Sequence, residues 1–372
     1  MDQLRIGIIG YGMRGYIGQY WHQFEGRSVV TAVADLDDAQ LVKAQEAFGA
    51  DVFVTKDYHE LLKRDDVDAV AILSPDYLHI EHVLAALEAN KHIYLEKPMA
   101  IHIEDCQTII EAWQKTDVKL MIGFNMRYMS MYQTMKYYID QGFIGDVKAI
   151  WVRHFVGFGG RYYYQDWHRN AKYTNSLLLQ KASHDIDVIH MLAGSYTKRV
   201  SAFGSLDFYN DEANFQADKL VHNEEAEIDV EDNNVLIMDL ANGVKAAYLQ
   251  NHFTPEYSRN YTVIGTKGRI ENDDINQKIF IKTRQTDSLH DQSDLEIQMK
   301  ETTGSHGGAD PQICQAFVEY VLDDKEPRAS VADGMMSVVV GVKATESVRS
   351  NGQVFDLSEY LQYLQDTFQS KD

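Results

Sequence analysis

A chain of 372 residues with 35 Lys and Arg against 56 Asp and Glu carries a formal charge of −21, which makes nucleic acid and anionic membrane surfaces poor partners. Its 45% hydrophobic and 24% charged content is ordinary for a globular protein with room for two domains, and argues against a disordered chain. The two cysteines, Cys106 and Cys314, give neither a disulfide framework nor a metal-ligand spacing; with no apolar run of bilayer length and no leader-like start, the expected location is the cytoplasm.

The first element is a strand. Leu4-Arg5-Ile6-Gly7-Ile8-Ile9 is apolar enough to be buried in a parallel sheet, and it runs into Gly10-Tyr11-Gly12-Met13-Arg14-Gly15, a G-x-G-x-x-G turn. Ile17, Tyr20, Trp21 and Phe24 recur at i, i+3, i+4 and i+7, which predicts a helix directly after the turn. Val29 to Ala34 then returns as a second strand ending at Asp35. Strand, turn, helix, strand and acid together predict a dinucleotide site. Gly10 serves the tight turn, Gly12 lets backbone approach a pyrophosphate, and Gly15 allows close helix–strand packing; the helix N-terminus offers N–H groups to the phosphates, with Met13 and Arg14 in the same turn. Asp35 stands 20 residues beyond Gly15, where a carboxylate accepts hydrogen bonds from a ribose diol and repels a 2′-phosphate. NAD is therefore expected over NADP, with Arg14 as the one nearby cation that argues otherwise.

Alternation continues through a helix with Leu41, Ala44 and Phe48, a strand at Asp51 to Val54, a helix around Tyr58 to Lys63, and the strand Val67 to Leu73, which ends in Ser74-Pro75-Asp76. The next helix is expected to bury Ile80, Val83, Leu84 and Leu87, and strands follow at Ile93 to Leu95 and Lys119 to Ile122. This pattern predicts a doubly wound parallel sheet over residues 1–124, in which ligands bind beyond the carboxyl ends of the strands. Three such tips carry polar chemistry: Ser74-Pro75-Asp76, Glu96-Lys97-Pro98 and Gly123 to Arg127. A lysine at such a tip can bond a substrate hydroxyl or carbonyl, or it can pair with Glu96 on the surface. The proline after it predicts a fixed turn, cis or trans.

The N-terminal fingerprint, Ser74-Pro75-Asp76-Tyr77-Leu78-His79, Glu96-Lys97-Pro98 and Arg127-Tyr128, in this order and spacing, resembles the Gfo/Idh/MocA family of sugar and cyclitol oxidoreductases. The resemblance implies an N-terminal Rossmann sheet followed, over residues 125–372, by an α+β domain with a large open, mainly antiparallel sheet that commonly mediates oligomers, here a homodimer or homotetramer. It implies an active-site role for Lys97, places Glu96 near the nicotinamide ribose, and puts Ser74, His79 and Arg127 along the cofactor. Asp76 departs from the family's asparagine.

From Met131 the pattern changes to a connecting helix with Met135, Tyr138 and Ile139, then a strand from Val147 to Phe155 and further strands at Asn234 to Leu240, Val244 to Asn251, Tyr261 to Gly265 and Lys278 to Lys282. Partial alternation predicts an antiparallel meander with one covered and one open face. Tyr162 to Arg169, including Trp167, is rich in rings and hydrogen-bonding groups, which suits a sugar as well as it suits loop packing. Gly304 to Pro311 either presents His306 and Asp310 to a pocket or caps the following helix. The acidic stretch Glu224 to Asp232 and the polar stretch Thr283 to Thr303 read as solvated loops.

Gln180-Lys181-Ala182-Ser183-His184-Asp185-Ile186-Asp187-Val188-Ile189-His190 is the second chemical cluster. On a helix packed through Ile186, Ile189 and Leu192, the groups at 184, 187 and 190 spread over too wide an arc for a closed metal site, so no metal is expected; a buried histidine satisfied by a carboxylate is the alternative. The resemblance assigns His184 and Asp187 to the family's H-x-x-D element and makes His184 the catalytic histidine. An imidazole titrates near neutral pH and so suits removal of a hydroxyl proton. Gln180 stands where many inositol-type members have aspartate; it can orient a hydroxyl but not exchange a proton, and Lys181 beside it can contribute charge. The expected function is NAD-dependent hydride transfer to or from a secondary hydroxyl of a sugar, cyclitol or polyol, with Lys97, Trp167, Arg169, Gln180, Lys181 and His184 at the substrate. Two alternatives stand beside it: a glycoside hydrolase that recycles bound NAD, and a non-catalytic NAD or sugar sensor.

Overall fold

The computed structural model describes residues 3–157, 159–211, 213–214, 228–284, 293–300 and 305–368, so parts of the acidic and polar stretches lie outside the described residues. The chain forms two compact units, residues 3–129 with 305–335, and residues 130–300 with 336–368.

In the first unit six strands, β1 (Leu4–Ile9), β2 (Ser28–Ala34), β3 (Phe53–Thr55), β4 (Ala69–Ile72), β5 (His92–Leu95) and β6 (Leu120–Ile122), form one sheet in the order β3-β2-β1-β4-β5-β6 with every pair parallel. The strands read as unbroken apolar runs because both faces are covered; all of β4 is buried. The helices Asp38–Phe48 and Tyr58–Leu62 start at Asp37 and Asp57, whose carboxylates accept the amides two residues on. In the helix His79–Glu88 the buried set is His79, His82, Val83, Ala86 and Leu87, so Ile80 and Leu84, expected inside, are displaced to partial exposure by two histidines.

Two expectations need correction. The segment after the glycine turn is not an α-helix but a 3-10 helix, Gly15–Tyr20, with Ile17 donating to Arg14 O and Trp21 to Gly18 O. Two glycines, a β-branched residue and three aromatics in seven positions give it weak helix propensity, and Gly18 packs so closely that a Cβ would lie 2.7 Å from Ile8 and from Phe48. The helix-terminus contribution to phosphate binding shrinks accordingly. Residues 305–335, expected in the C-terminal domain, belong instead to the first unit. There the helix Ser305–Asp323 buries Ile313, Cys314, Phe317 and Val318 in the core that contains Trp21 and Tyr94. The rings of Trp21, Tyr94 and Phe317 meet edge to face, and Trp21 Nε1 donates to Cys314 O at 3.0 Å.

The second unit carries nine strands, β7 (Val147–Phe155), β8 (Thr197–Ser205), β9 (Asn233–Leu240), β10 (Lys245–Asn251), β11 (Ser258–Gly265), β12 (Gly268–Asp273), β13 (Lys278–Thr283), β14 (Leu295–Gln298) and β15 (Phe355–Asp356), in the order β14-β13-β12-β11-β7-β10-β9-β8-β15. The sheet is antiparallel except at its centre, where β7 and β10 pair in parallel, so it is not a simple meander. Alternation decides the faces. Ile150, Val152 and His154 of β7 are buried, whereas Trp151 is 59% exposed on the open side.

Gly10, directly after β1, has a φ of +86°, and a Cβ there would lie 2.7 Å from the Ser74 nitrogen. Gly10→Ala is expected to lower the unfolding free energy by about 2–4 kcal/mol through overpacking and left-handed strain. Urea titration measures this, and an unchanged midpoint would show that the turn relaxes freely.

Candidate functional site

Asp35, just past the end of β2, is fixed by its neighbours: Oδ2 accepts the Tyr11 amide at 2.6 Å and Oδ1 the Asp37 amide at 2.9 Å. Each oxygen keeps a further lone pair for a hydroxyl. Beside it no heavy atom comes within 4 Å of the position a Gly12 Cβ would occupy, so the backbone is open to a ligand there, and Met13 is 64% exposed. Turn, opening and acid together fit a dinucleotide. Gly15 is required for a different reason than expected, since a Cβ would press on the Tyr11 ring at 2.8 Å.

Arg14 turns away from Asp35. In the sheet order β5 lies on the opposite side of β1 from β2, and there Arg14 Nε donates to Glu96 Oε1 at 2.8 Å while Nη1 and Nη2 donate to Asp310 at 3.1 Å each. Asp310 is wholly buried and also accepts Tyr16 OH at 2.6 Å, Ser305 Oγ at 2.6 Å and Asn125 Nδ2 at 2.9 Å, with His306 Nδ1 at 2.8 Å. Burial pushes its carboxyl up, but the hydrogen bonds from His306 and Arg14 outweigh that and hold it well below the carboxylate range. Burial likewise opposes the Arg14 charge, and Glu96 and Asp310 restore it. His306 and Asp310 thus fasten the glycine turn to this helix.

The remaining tips are knitted together. Glu96 is buried, and its Oε2 accepts the Lys97 amide at 3.1 Å, so its carboxylate is engaged by Arg14 and by backbone; the Lys97–Pro98 bond is cis. Ser74 Oγ lies 2.9 Å from His82 Nδ1. His79, wholly buried, places its ring nitrogens 2.8 Å from Pro98 O and 3.0 Å from Ser74 O, which ties two tips to each other and turns the ring inward. Arg127 is buried and pairs with Asp333 at 2.8 Å and with the Arg328 carbonyl. Both residues, expected along the cofactor, are held by partners within the fold.

In the second unit the helix Ser183–Ala193 ends at Gly194 in the left-handed region, and nearly all its side chains are buried; His184 keeps partial exposure near its start. His190 Nε2 meets Thr197 N at 3.2 Å and Thr197 Oγ1 at 2.9 Å, so the partner of this core histidine is a threonine rather than the carboxylate that the residues allowed. Among the described residues no group of three His, Cys, Asp or Glu side chains could hold a metal ion. Gln180 and Arg169 are buried, and Trp167 stacks on His168. Lys97 and His184 belong to different units.

Asp185 was missed. It is wholly buried, accepts Tyr248 OH at 3.0 Å and Tyr261 OH, lies 3.1 Å from His154 Nδ1, and pairs with Arg259 Nε at 3.4 Å. Arg259 Nη2 donates to His154 Nε2 at 3.0 Å, which leaves Nδ1 to carry the proton toward Asp185. Burial pushes the Asp185 carboxyl up, while Arg259 and His154 hold it well below the usual range. No motif marks this network. Its signal is period two: His154, Tyr248, Arg259 and Tyr261 occupy inward strand positions among buried apolar ones.

Burial lowers the pKa of His82 to about 4 and that of His154 to about 3 from an ordinary 6.5, with His79 and Arg259 respectively adding to it. Both rings fold neutral, and the unfolded chain takes up their protons first. Their contribution to stability is complete above pH 6.5 and is lost as pH falls toward 4 and 3. From pH 7 to 5.5 the unfolding free energy is expected to drop by about 2–3 kcal/mol in all; denaturant titrations that give the same value at both pH values would contradict this.

Two models of one family match the chain: the oxidoreductase family's NAD-binding Rossmann fold over residues 4–124, and its C-terminal alpha/beta domain over residues 136–355. The myo-inositol 2-dehydrogenase of Thermotoga maritima is 25% identical over 354 residues, covering 94% of this chain and 98% of that protein. The inositol 2-dehydrogenase of Salmonella typhimurium is 32% identical over 203 residues, 54% of this chain and 57% of that one. Among solved structures, levoglucosan dehydrogenase in complex with NADH and levoglucosan superposes with a TM-score of 0.83 at 19% identity over 95% of this chain and 99% of that one. The scyllo-inositol dehydrogenase of Lactobacillus casei with bound NAD(H) and scyllo-inositol gives 0.76 at 22%, over 96% and 99%. With both halves matched by their models, the chain belongs to the Gfo/Idh/MocA oxidoreductase family.

Proposed function

We propose that this NAD-dependent oxidoreductase oxidises a secondary hydroxyl of a sugar, cyclitol or related polyol, or reduces the matching ketone. The observation that carries the cofactor half is the pairing of a fixed Asp35 with an Arg14 drawn off to Glu96 and Asp310, which leaves a ribose diol welcome and a 2′-phosphate opposed. Relatives named for inositol dehydrogenation support the substrate half. Gly10, Gly12 and Asp35 would hold the adenosine side of NAD, and Ser74 and Glu96 stand at neighbouring strand tips. When bound, NAD supplies the hydride acceptor.

The protein's own residues handle orientation and the proton. His184 takes the hydroxyl proton, and Lys97 holds the oxygen and stabilises charge on it. Glu96, fixed by Arg14, fixes the Lys97 backbone in turn. Gln180 supports a second reading, a hydrolase that uses NAD transiently, because it orients a hydroxyl without exchanging its proton; NAD recycled within each turnover rather than consumed stoichiometrically would favour that reading. The open sheet face, with Trp151, Phe203 and Ile237 each more than half exposed, supports a homodimer or homotetramer. Light scattering at micromolar concentration is expected to return a multiple of the 42.5 kDa chain mass, and a monomeric mass would contradict it.

A polyol panel with NAD tests the activity. NAD is expected to bind at least tenfold more tightly than NADP, because a carboxylate accepts from the diol and repels a phosphate. Lys97→Met and His184→Asn are expected to lower turnover by about 100-fold or more while NAD affinity stays within a few-fold. A variant that folds, binds NAD and turns over at the parental rate would remove that residue from the mechanism.

A further inference from the structure

Lys181 lies between the turn of helix Leu177–Gln180 and the start of Ser183–Ala193. Its ammonium sits 5.2 Å from the Tyr163 ring centroid and 6.0 Å from that of Tyr257, and among the described residues no carboxylate comes within ion-pair distance of it. The charged groups facing it are Arg259 and Asp185, and both oxygens of Asp185 are already engaged, by Tyr261 and Arg259 on one side and Tyr248 and His154 on the other. His154 and His252 are neutral near pH 7, since burial drives both pKa values down, His154 to about 3 and His252 well below its ordinary value. Arg259 has Asp274 beside it as well as Asp185, so Lys181 is the cation of this cluster that no described carboxylate pairs with. Desolvation lowers the Lys181 pKa, as expected of a cation whose charge lacks a counter-ion.

Two further features accompany the unpaired ammonium. The residue keeps partial exposure and Tyr257 beside it is 49% exposed, so the cluster borders solvent. His252, wholly buried with its ring 5.3 Å from that of Tyr163, has an Nδ1 without a hydrogen-bond partner among the described residues. Aromatic walls suit the C–H faces of a sugar ring, while the lone cation calls for an anion rather than one more hydroxyl. We infer that the second unit recognises an acidic sugar, a uronate or aldonate, whose carboxylate pairs with Lys181. The sugar part of this inference rests on the function proposed above; the anionic part rests on the Lys181 cluster alone.

Calorimetric titration of the NADH-loaded protein tests it, using gluco-, galacto- and manno-configured uronates and aldonates against the corresponding neutral sugars and polyols. The tightest acid is expected to bind at least tenfold more tightly than its neutral counterpart. Lys181→Gln is expected to remove at least tenfold from that affinity, clearly more than it removes from any neutral sugar, and Lys181→Arg to keep most of it. Neutral sugars binding as tightly as acids, no acid binding at all, or equal losses for both classes in Lys181→Gln would overturn the inference. NADH formation from neutral polyols alone would sink the acidic substrate and leave the dehydrogenase standing; acid binding that depends on Lys181, without NADH formation from any sugar, would do the reverse.

Discussion

The first unit depends on how one arginine is held. Arg14 is part of the glycine turn, Glu96 is at the tip of β5, and Asp310 begins the helical segment that closes the core, so the three-way ion pair fastens together parts of the chain separated by up to 296 residues. Removing one partner from such a buried set would leave an uncompensated charge, at a cost of about 3–5 kcal/mol. The same contacts aim the Glu96 carboxylate, which receives the Lys97 amide. Stability and the order of the Glu96-Lys97 tip are thus set by the same hydrogen bonds.

The second unit repeats the device with other residues. Asp185 replaces Asp310 as a wholly buried carboxylate surrounded by donors, and Arg259 replaces Arg14. Here the donors come from strands that are neighbours in the sheet but distant in sequence: His154 of β7, Tyr248 of β10 and Tyr261 of β11. A buried charge that demands three phenol or imidazole partners at once tolerates one arrangement of the central strands, and the central parallel pair β7 and β10 is the arrangement it is found in.

Local patterns in the sequence were legible wherever the cause was local. Apolar runs marked β1 and β4, and Asp35 marked the tip of β2. The motif residues of the glycine turn and of the Glu96-Lys97-Pro98 tip stand at the sheet edge as read. What was misread depended on contacts made across the fold. The stripe Ile17, Tyr20, Trp21 implied an α-helix, yet Gly18 had to approach Phe48, and the backbone tightened to 3-10. The motifs put His79 and Arg127 along the cofactor; that they also hold Pro98 O and Asp333 is what no window of sequence around either residue reveals in full. The helix of residues 305–323 looked C-terminal because it follows the large sheet in the chain, whereas its apolar face matches Trp21 and Tyr94.

That last pairing bears on how the protein is made. Trp21 Nε1 and its acceptor, Cys314 O, are 293 residues apart. At a synthesis rate of about 5–20 residues per second, roughly 15–60 s pass between the emergence of the two partners. Throughout that interval the nascent Rossmann sheet lacks the helix that covers Trp21 and Tyr94, and residues 130–300 of the second unit are translated meanwhile. The N-terminal part of the first unit therefore waits on the ribosome with an apolar flank unsealed, a natural binding surface for a chaperone, and a transcript truncated before residue 305 encodes a sheet that can never be closed.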